Sequence, residues 1–136
     1  MVREIMKSPF FLQQKSKPAT AADAKIADDL RDTLLANSHR CVGMAANMIG
    51  ELKCIIVYND EGTLREMFNP EIVGKSGEYH DEEGCLSLPG ERPVTRYENI
   101  TVKWQTRDMK PQVGMFSGFT AQIIQHEIDH CNGILV

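Results

Sequence analysis

The sequence predicts an α+β fold: a small, mostly antiparallel sheet packed around a C-terminal helix, with an amphipathic helix near the N-terminus. Three observations carry this expectation. Apolar residues recur every four positions between Thr20 and Asn37. β-Branched and aromatic residues gather in short runs between Leu52 and Gln105, and a helical pattern returns between Ser117 and Cys131. A chain of 136 residues suits one domain spanning 1–136 and leaves no room for a second. Hydrophobic residues at 42% and charged residues at 25% exclude disordered and fibrous classes.

The elements follow in order. Ala22, Ile26, Leu30 and Leu34 form one apolar stripe, with Asp28, Asp29, Arg31 and Asp32 on other faces, so a helix is expected from Thr20 to Asn37. Thr20 and Asp23 suit a capping box, and Asn37 suits a left-handed end. The small and apolar run Cys41–Gly50 reads as a loop or short turn near a site. Leu52–Tyr58 reads as a strand, stopped by the turn-prone Asn59–Gly62. Arg65–Asn69 is a second strand that Pro70 confines to an edge or to its last residue, with Glu71–Val73 running on to Gly74. Further strands are expected at Arg92–Arg96 and at Ile100–Gln105, the latter with Ile100, Val102 and Trp104 on one face. The last helix runs from about Ser117 to Cys131, capped by Ser117 or Thr120 and ended by Gly133.

Charge and composition exclude some functions. A net charge of -4 argues against nucleic acid as the main ligand. Met1–Pro9 lacks the apolar core of a secretory signal, and no run approaches the ~20 apolar residues that cross a bilayer, so a cytoplasmic protein without a membrane partner is expected. The spacings of Cys41, Cys54, Cys85 and Cys131 match neither a zinc ribbon nor a disulfide framework, and reduced thiols are expected.

The chemistry concentrates in Gln125-His126-Glu127-Ile128-Asp129-His130. Histidines four apart project from one helix face and can share a metal ion, while the glutamate between them can exchange a proton with water beside that ion. A polar helix with one buried and one exposed histidine would have the same pattern. Catalytic sites of this type usually have a third protein ligand. Cys85 is the best candidate, because Gly84 relieves crowding and its turn-prone neighbours can aim a thiolate inward. Taken alone, Cys85 reads better as a small buried apolar residue.

Gly43-Met44-Ala45-Ala46, Glu83-Gly84-Cys85-Leu86-Ser87 and Gln125–His130 occur in an order and spacing that resemble the peptide deformylases. Asn69-Pro70-Glu71-Ile72 and Asn132-Gly133 extend the resemblance over most of the chain. It implies an α+β metallohydrolase that removes the formyl group from the N-terminal methionine of new polypeptides. It further implies Cys85, His126 and His130 on one divalent ion, Fe²⁺ foremost, although this donor set also accepts Zn²⁺, Ni²⁺ or Co²⁺. By the same resemblance Glu127 is the proton shuttle and the Leu86 N–H an oxyanion donor. Gly43 lies on the edge where a peptide pairs, Glu83 braces the site, and Arg92 offers a cation at the channel mouth.

Two positions depart from the family pattern. Cys41 stands where the family has glycine, and is expected to face the core or the channel, with the core favoured. Met48 stands where a glutamine would donate to the formyl oxygen, and a thioether has no N–H to donate. Met48 is therefore expected to slow formyl hydrolysis or to shift acyl preference, and it reads equally as packing against the motif helix. Cys131 is expected to pack, and His39 and His80 to lie on the surface. Asp129 is expected to orient a neighbour or to pair with an arginine, and Gln122 and Gln125 to support the site or face solvent. The chain ends at Val136, where relatives that work at the ribosome continue, so only transient ribosome proximity is expected.

Two competing functions stand beside the leading one. A deformylase-like protein would bind N-blocked peptides with little turnover. An unrelated HExxH protease would cleave internal bonds and have no use for Cys85.

Overall fold

The computed structural model describes residues 1–136. Five strands form one antiparallel sheet in sequence order: β1 (Gly43–Ala45), β2 (Ile55–Asp60), β3 (Thr63–Cys85), β4 (Leu88–Gln105) and β5 (Pro111–Ser117). The helices are α1 (Pro9–Leu12), α2 (Ala24–Ala36) and α3 (Gly118–Cys131).

β2 explains the layering. Ile55, Ile56, Val57 and Tyr58 are all buried, a continuous apolar run that only a strand covered on both faces produces. Ile55 and Val57 join Ala27, Leu30 and Leu34 of α2, while Ile56 and Tyr58 join Ala121, Ile124 and Ile128 of α3. The order of layers is therefore α2, sheet, α3. Each fully buried aliphatic side chain contributes about 1.5–3 kcal/mol, so this strand anchors both helices. Ile100 and Val102 sit in the α3-side core with Trp104 packed against it, as their alternation predicts.

The first long helix begins as a 3₁₀ turn at Ala21–Asp23 before α2 proper, and the Thr20–Asp23 capping box is formed. Asn37 follows α2 with φ -114°, outside the left-handed region expected of it. Its amide instead donates to the Thr33 carbonyl at 2.8 Å, so a side chain closes the last turn.

Cys41–Gly50 is more regular than a loop: it forms β1 and a 3₁₀ turn at Ala46–Ile49 that ends at Gly50. Glu61 and Gly62, both at positive φ, make the two-residue turn between β2 and β3. Pro70 does not end its strand. The register shifts between Phe68 and Glu71, and this bulge spares the ladder the N–H that proline lacks. Asn69 adopts φ 54° there, and its side chain accepts from Ala19 N–H at 2.7 Å and donates to Ala19 O at 2.9 Å.

The runs expected as separate strands at Arg92–Arg96 and Ile100–Gln105 belong to one long strand, β4, paired along the length of β3. β5 was not foreseen, because five of its seven residues are exposed and its inward Gly114 and Phe116 alternate with the apolar but exposed Val113 and Met115, which hides the pattern. Gly133, at φ 75° just past α3, is required twice over. It reverses the chain, and a Cβ there would lie 2.4 Å from the Gln13 carbonyl oxygen.

Candidate metal centre

α3 brings His126 and His130 onto one face, with ring centroids 4.9 Å apart and Nε2 atoms at 3.2 Å. Cys85, the last residue of β3, places Sγ 3.3 Å from His130 Nε2. All three donor atoms lie within 4.8 Å of one another. Tetrahedral bonds of about 2.0–2.3 Å to nitrogen and sulfur would set donor edges of roughly 3.3–3.6 Å, close to the two edges that meet at His130, so the donor set suits a shared divalent ion. A thiolate and two imidazoles suit Fe²⁺ or its divalent neighbours.

Neighbouring groups act on these three donors. Glu83 Oε1 lies 2.7 Å from His126 Nδ1, which directs His126 Nε2 toward the other two donors. Burial opposes charge on His126, but the Cys85 sulfur and Glu83 raise its pKa to about 10. His130 is fully buried, and burial followed by repulsion from His126 lowers its pKa to about 3, leaving a neutral imidazole. The Ser87 N–H donates to Cys85 Sγ at 3.4 Å from the turn between β3 and β4.

Glu83 is itself held. Arg96 donates to both of its oxygens at 2.7–3.2 Å and to Asp129 Oδ2 at 2.8 Å, and Gln122 donates to Glu83 Oε2 at 2.8 Å. Burial pushes the Glu83 carboxyl up, and His126, Arg96 and Gln122 overcome it, drawing the pKa down to about 2. Glu83 thus braces His126 within a buried ion network. Asp129 pairs with an arginine, Arg96, which the sequence reading passed over. The signal was present: in a strand Arg96 shares the inward face of Val94, two residues earlier. Gln125 does not reach the ligands, and instead clamps α3 to β4 through the Tyr97 N–H and C=O.

Glu127 is only 4% exposed, and burial raises its pKa to about 7. Its Oε1 has no hydrogen-bond partner. With Cys85, Leu86 and His126 it lines a cavity of about 550 Å³, whose wall also includes Cys41, Gly43, Met48 and Glu83. The Leu86 N–H donates to no group of the protein. A Cβ on Gly43 would lie 2.9 Å from Glu127 Oε2, so the backbone of β1 approaches the carboxylate only because residue 43 has no side chain.

The remaining expected residues divide. Met48 lines the cavity while only 1% exposed, with the rest of it in the α2-side core. Cys41 is half-buried, packs against the α2-side core as favoured, and also lines the cavity. Arg92 is not part of the cavity wall. It lies on β4 opposite Glu83, half-buried, with one guanidinium nitrogen unpaired. Cys131 packs in the core, and His39 and His80 are exposed. Asp81 and Glu82 are exposed and lie within β3.

Comparison with known proteins agrees with this arrangement. A sequence profile of the polypeptide deformylase family matches residues 2–136. The chain is 48% identical to a peptide deformylase of Clostridium beijerinckii across the whole of both chains. It is 40% identical to that of Dictyoglomus thermophilum, covering all of this chain and 91% of that one. Among solved structures, the class I type b peptide deformylase of Acinetobacter baumannii bound to K1U superposes with a TM-score of 0.90 at 34% identity, covering 99% of this chain and 97% of the other. The same enzyme bound to Met-Ala-Ser gives 0.89 at 32% identity over the same shares. No helix is long and apolar enough to cross a membrane. The chain belongs to the peptide deformylase family of metal-dependent amide hydrolases.

Proposed function

We propose that this protein removes the formyl group from the N-terminal methionine of newly made polypeptides, at a rate reduced by Met48. The observation that carries the reading is the convergence of Cys85, His126 and His130 beside a buried carboxylate, Glu127, which lines a peptide-sized cavity and keeps one oxygen unpaired. A peptide ligand is supported by the relative solved with Met-Ala-Ser. Such a substrate arises where new chains emerge, so the reading carries with it a cytoplasmic location and transient ribosome proximity.

A divalent ion on Cys85, His126 and His130 would supply Lewis acidity to the attacking water and to the formyl carbonyl. Glu127 takes the proton of that water as its oxygen bonds to the formyl carbon. When the C–N bond breaks, Glu127 returns the proton to the departing amine, giving formate and a free N-terminus. The Leu86 N–H donates to the developing oxyanion. Glu83 and Arg96 hold the His126 ring still, and Gly43 sets the approach of the peptide backbone to Glu127.

Met48 adds no donor to this set. Loss of one oxyanion donor costs on the order of 10²–10³ in rate, about 3 kcal/mol. The same residue supports a second reading, a protein that binds N-blocked peptides and scarcely turns them over.

Formate release from formyl-Met peptides, with acetylated peptides alongside, tests both. Protein loaded with metal under anaerobic conditions should release formate, and Met48→Gln should raise the rate. In Glu127→Ala release should fall at least a hundredfold with metal retained. Tight peptide binding without release would leave the second reading, and full activity in Glu127→Ala would reject the proton path.

A further inference from the structure

β1 pairs only with β2, so its other edge is open. The Asn59 N–H donates to the Val42 carbonyl at 2.8 Å, which continues the register of Gly43 with Tyr58 and Met44 with Val57 by one hydrogen-bonded pair. Hydrogen-bonded and non-hydrogen-bonded pairs alternate in an antiparallel ladder. The backbone groups of Gly43 and Ala45 therefore point away from β2, toward the open edge. An extended peptide that adds to a sheet uses carbonyls of this kind as acceptors.

The Gly43 carbonyl already has a donor. Cys41 Sγ lies 3.0 Å from it and donates its S–H. Cys41 and Gly43 line the same cavity as Glu127, so the capped carbonyl belongs to the peptide groove.

We propose that Cys41 regulates peptide affinity by capping the Gly43 carbonyl, a hydrogen bond that the incoming backbone N–H must displace. The proposal rests on the deformylase reading only in taking a peptide as the occupant. A thiol is a weak donor, so it keeps the acceptor satisfied in the free groove and yields to an amide. The glycine of the family pattern at this position has no side chain with which to compete. Cys41 touches no reacting atom; it is a positioning residue that acts through Gly43.

The test compares wild type, Cys41→Ala and Cys41→Ser as metal-loaded proteins. Binding of Met-Ala-Ser is measured by calorimetry, and KM and kcat are measured for N-formyl-Met-Ala-Ser. Removing the donor should tighten binding roughly two- to fivefold, and the stronger hydroxyl donor should weaken it by a similar factor. Both changes should appear in KM rather than in kcat, a split that general loosening of the site would not give. Cys41→Gly should follow Cys41→Ala. Equal or weaker binding by Cys41→Ala overturns the proposal, as does movement of Ala and Ser in the same direction. Absence of formate release from every protein would reject the deformylase reading, while the order of Met-Ala-Ser affinities would still decide the cap. No measurable binding by any of them overturns it.

Discussion

A Cβ added to Gly43 would meet Ile123 Cγ2 at 2.7 Å and Glu127 Oε2 at 2.9 Å. Ile123 is held in the α3-side core at 5% exposure, and Glu127 is buried beside it, so neither can withdraw freely. Gly43→Ala should therefore move the carboxylate proposed to carry the proton, at a folding cost of about 1–3 kcal/mol for an overfilled site. Formate release is expected to fall at least tenfold, with metal content unchanged by elemental analysis. Full activity would show that the Glu127 position is not set by the β1 backbone. Met48 has the opposite character, since it is buried in the α2-side core and the cost proposed for it is a missing donor.

Between elements, Arg96 does most to assemble the site. From β4 it holds Glu83 of β3 and Asp129 of α3, and Glu83 in turn holds His126. Arg96→Leu would leave the Glu83 carboxylate buried without its cation, a loss of about 3–5 kcal/mol for one partner of a buried pair. Disturbing the group behind a ligating histidine typically weakens metal binding 10- to 100-fold. Thermal unfolding and metal retention against a chelator should both drop, with Arg96→Lys recovering only part because an ammonium lacks the planar fork. Retention equal to wild type would show that His126 orients itself. How much of this was legible in the sequence follows from the range of the interactions. α2 and α3 were readable because helix periodicity is local, and β2 because its apolar run is unbroken. The full extent of β3 and β4 was not, since a 23-residue strand interrupted by a bulge at Asn69–Pro70 is defined by its partner across the sheet. β5 gave no signal, because only Phe116 of its inward face reaches the core and its outward Val113 and Met115 are just as apolar. His126, Glu127 and His130 could be named from their spacing on one helix, and Cys85 only in company with the other motifs of the resemblance. Their shared brace, Arg96, required knowing which carboxylates lay opposite its face.

At the scale of the whole molecule, Glu66 ties three regions far from the metal centre. Its carboxylate, 12% exposed, accepts from Arg31 of α2 at 2.8 Å and from Arg107 in the β4–β5 turn at 2.8 Å, and Arg107 also reaches Asp28 of α2 at 3.0 Å. Burial raises the pKa of Glu66, but the hydrogen bonds and charges of Arg107 and Arg31 outweigh it and hold the carboxyl below its ordinary 4.5. The folded state thus binds the Glu66 proton less tightly than the unfolded chain does. By linkage, its contribution is fully present above the unfolded pKa of 4.5 and is lost as the pH falls through the lower folded value. Glu66→Gln should lower the denaturant midpoint at pH 7, and the gap from wild type should narrow steadily below about pH 4.5. Added salt should narrow the gap less than it would for an exposed pair, because the carboxylate is largely screened from solvent. A gap that stays constant from pH 7 to pH 3 would mean that Glu66 acts through packing alone, and that α2 is held to the sheet by its apolar stripe rather than by this three-way clasp.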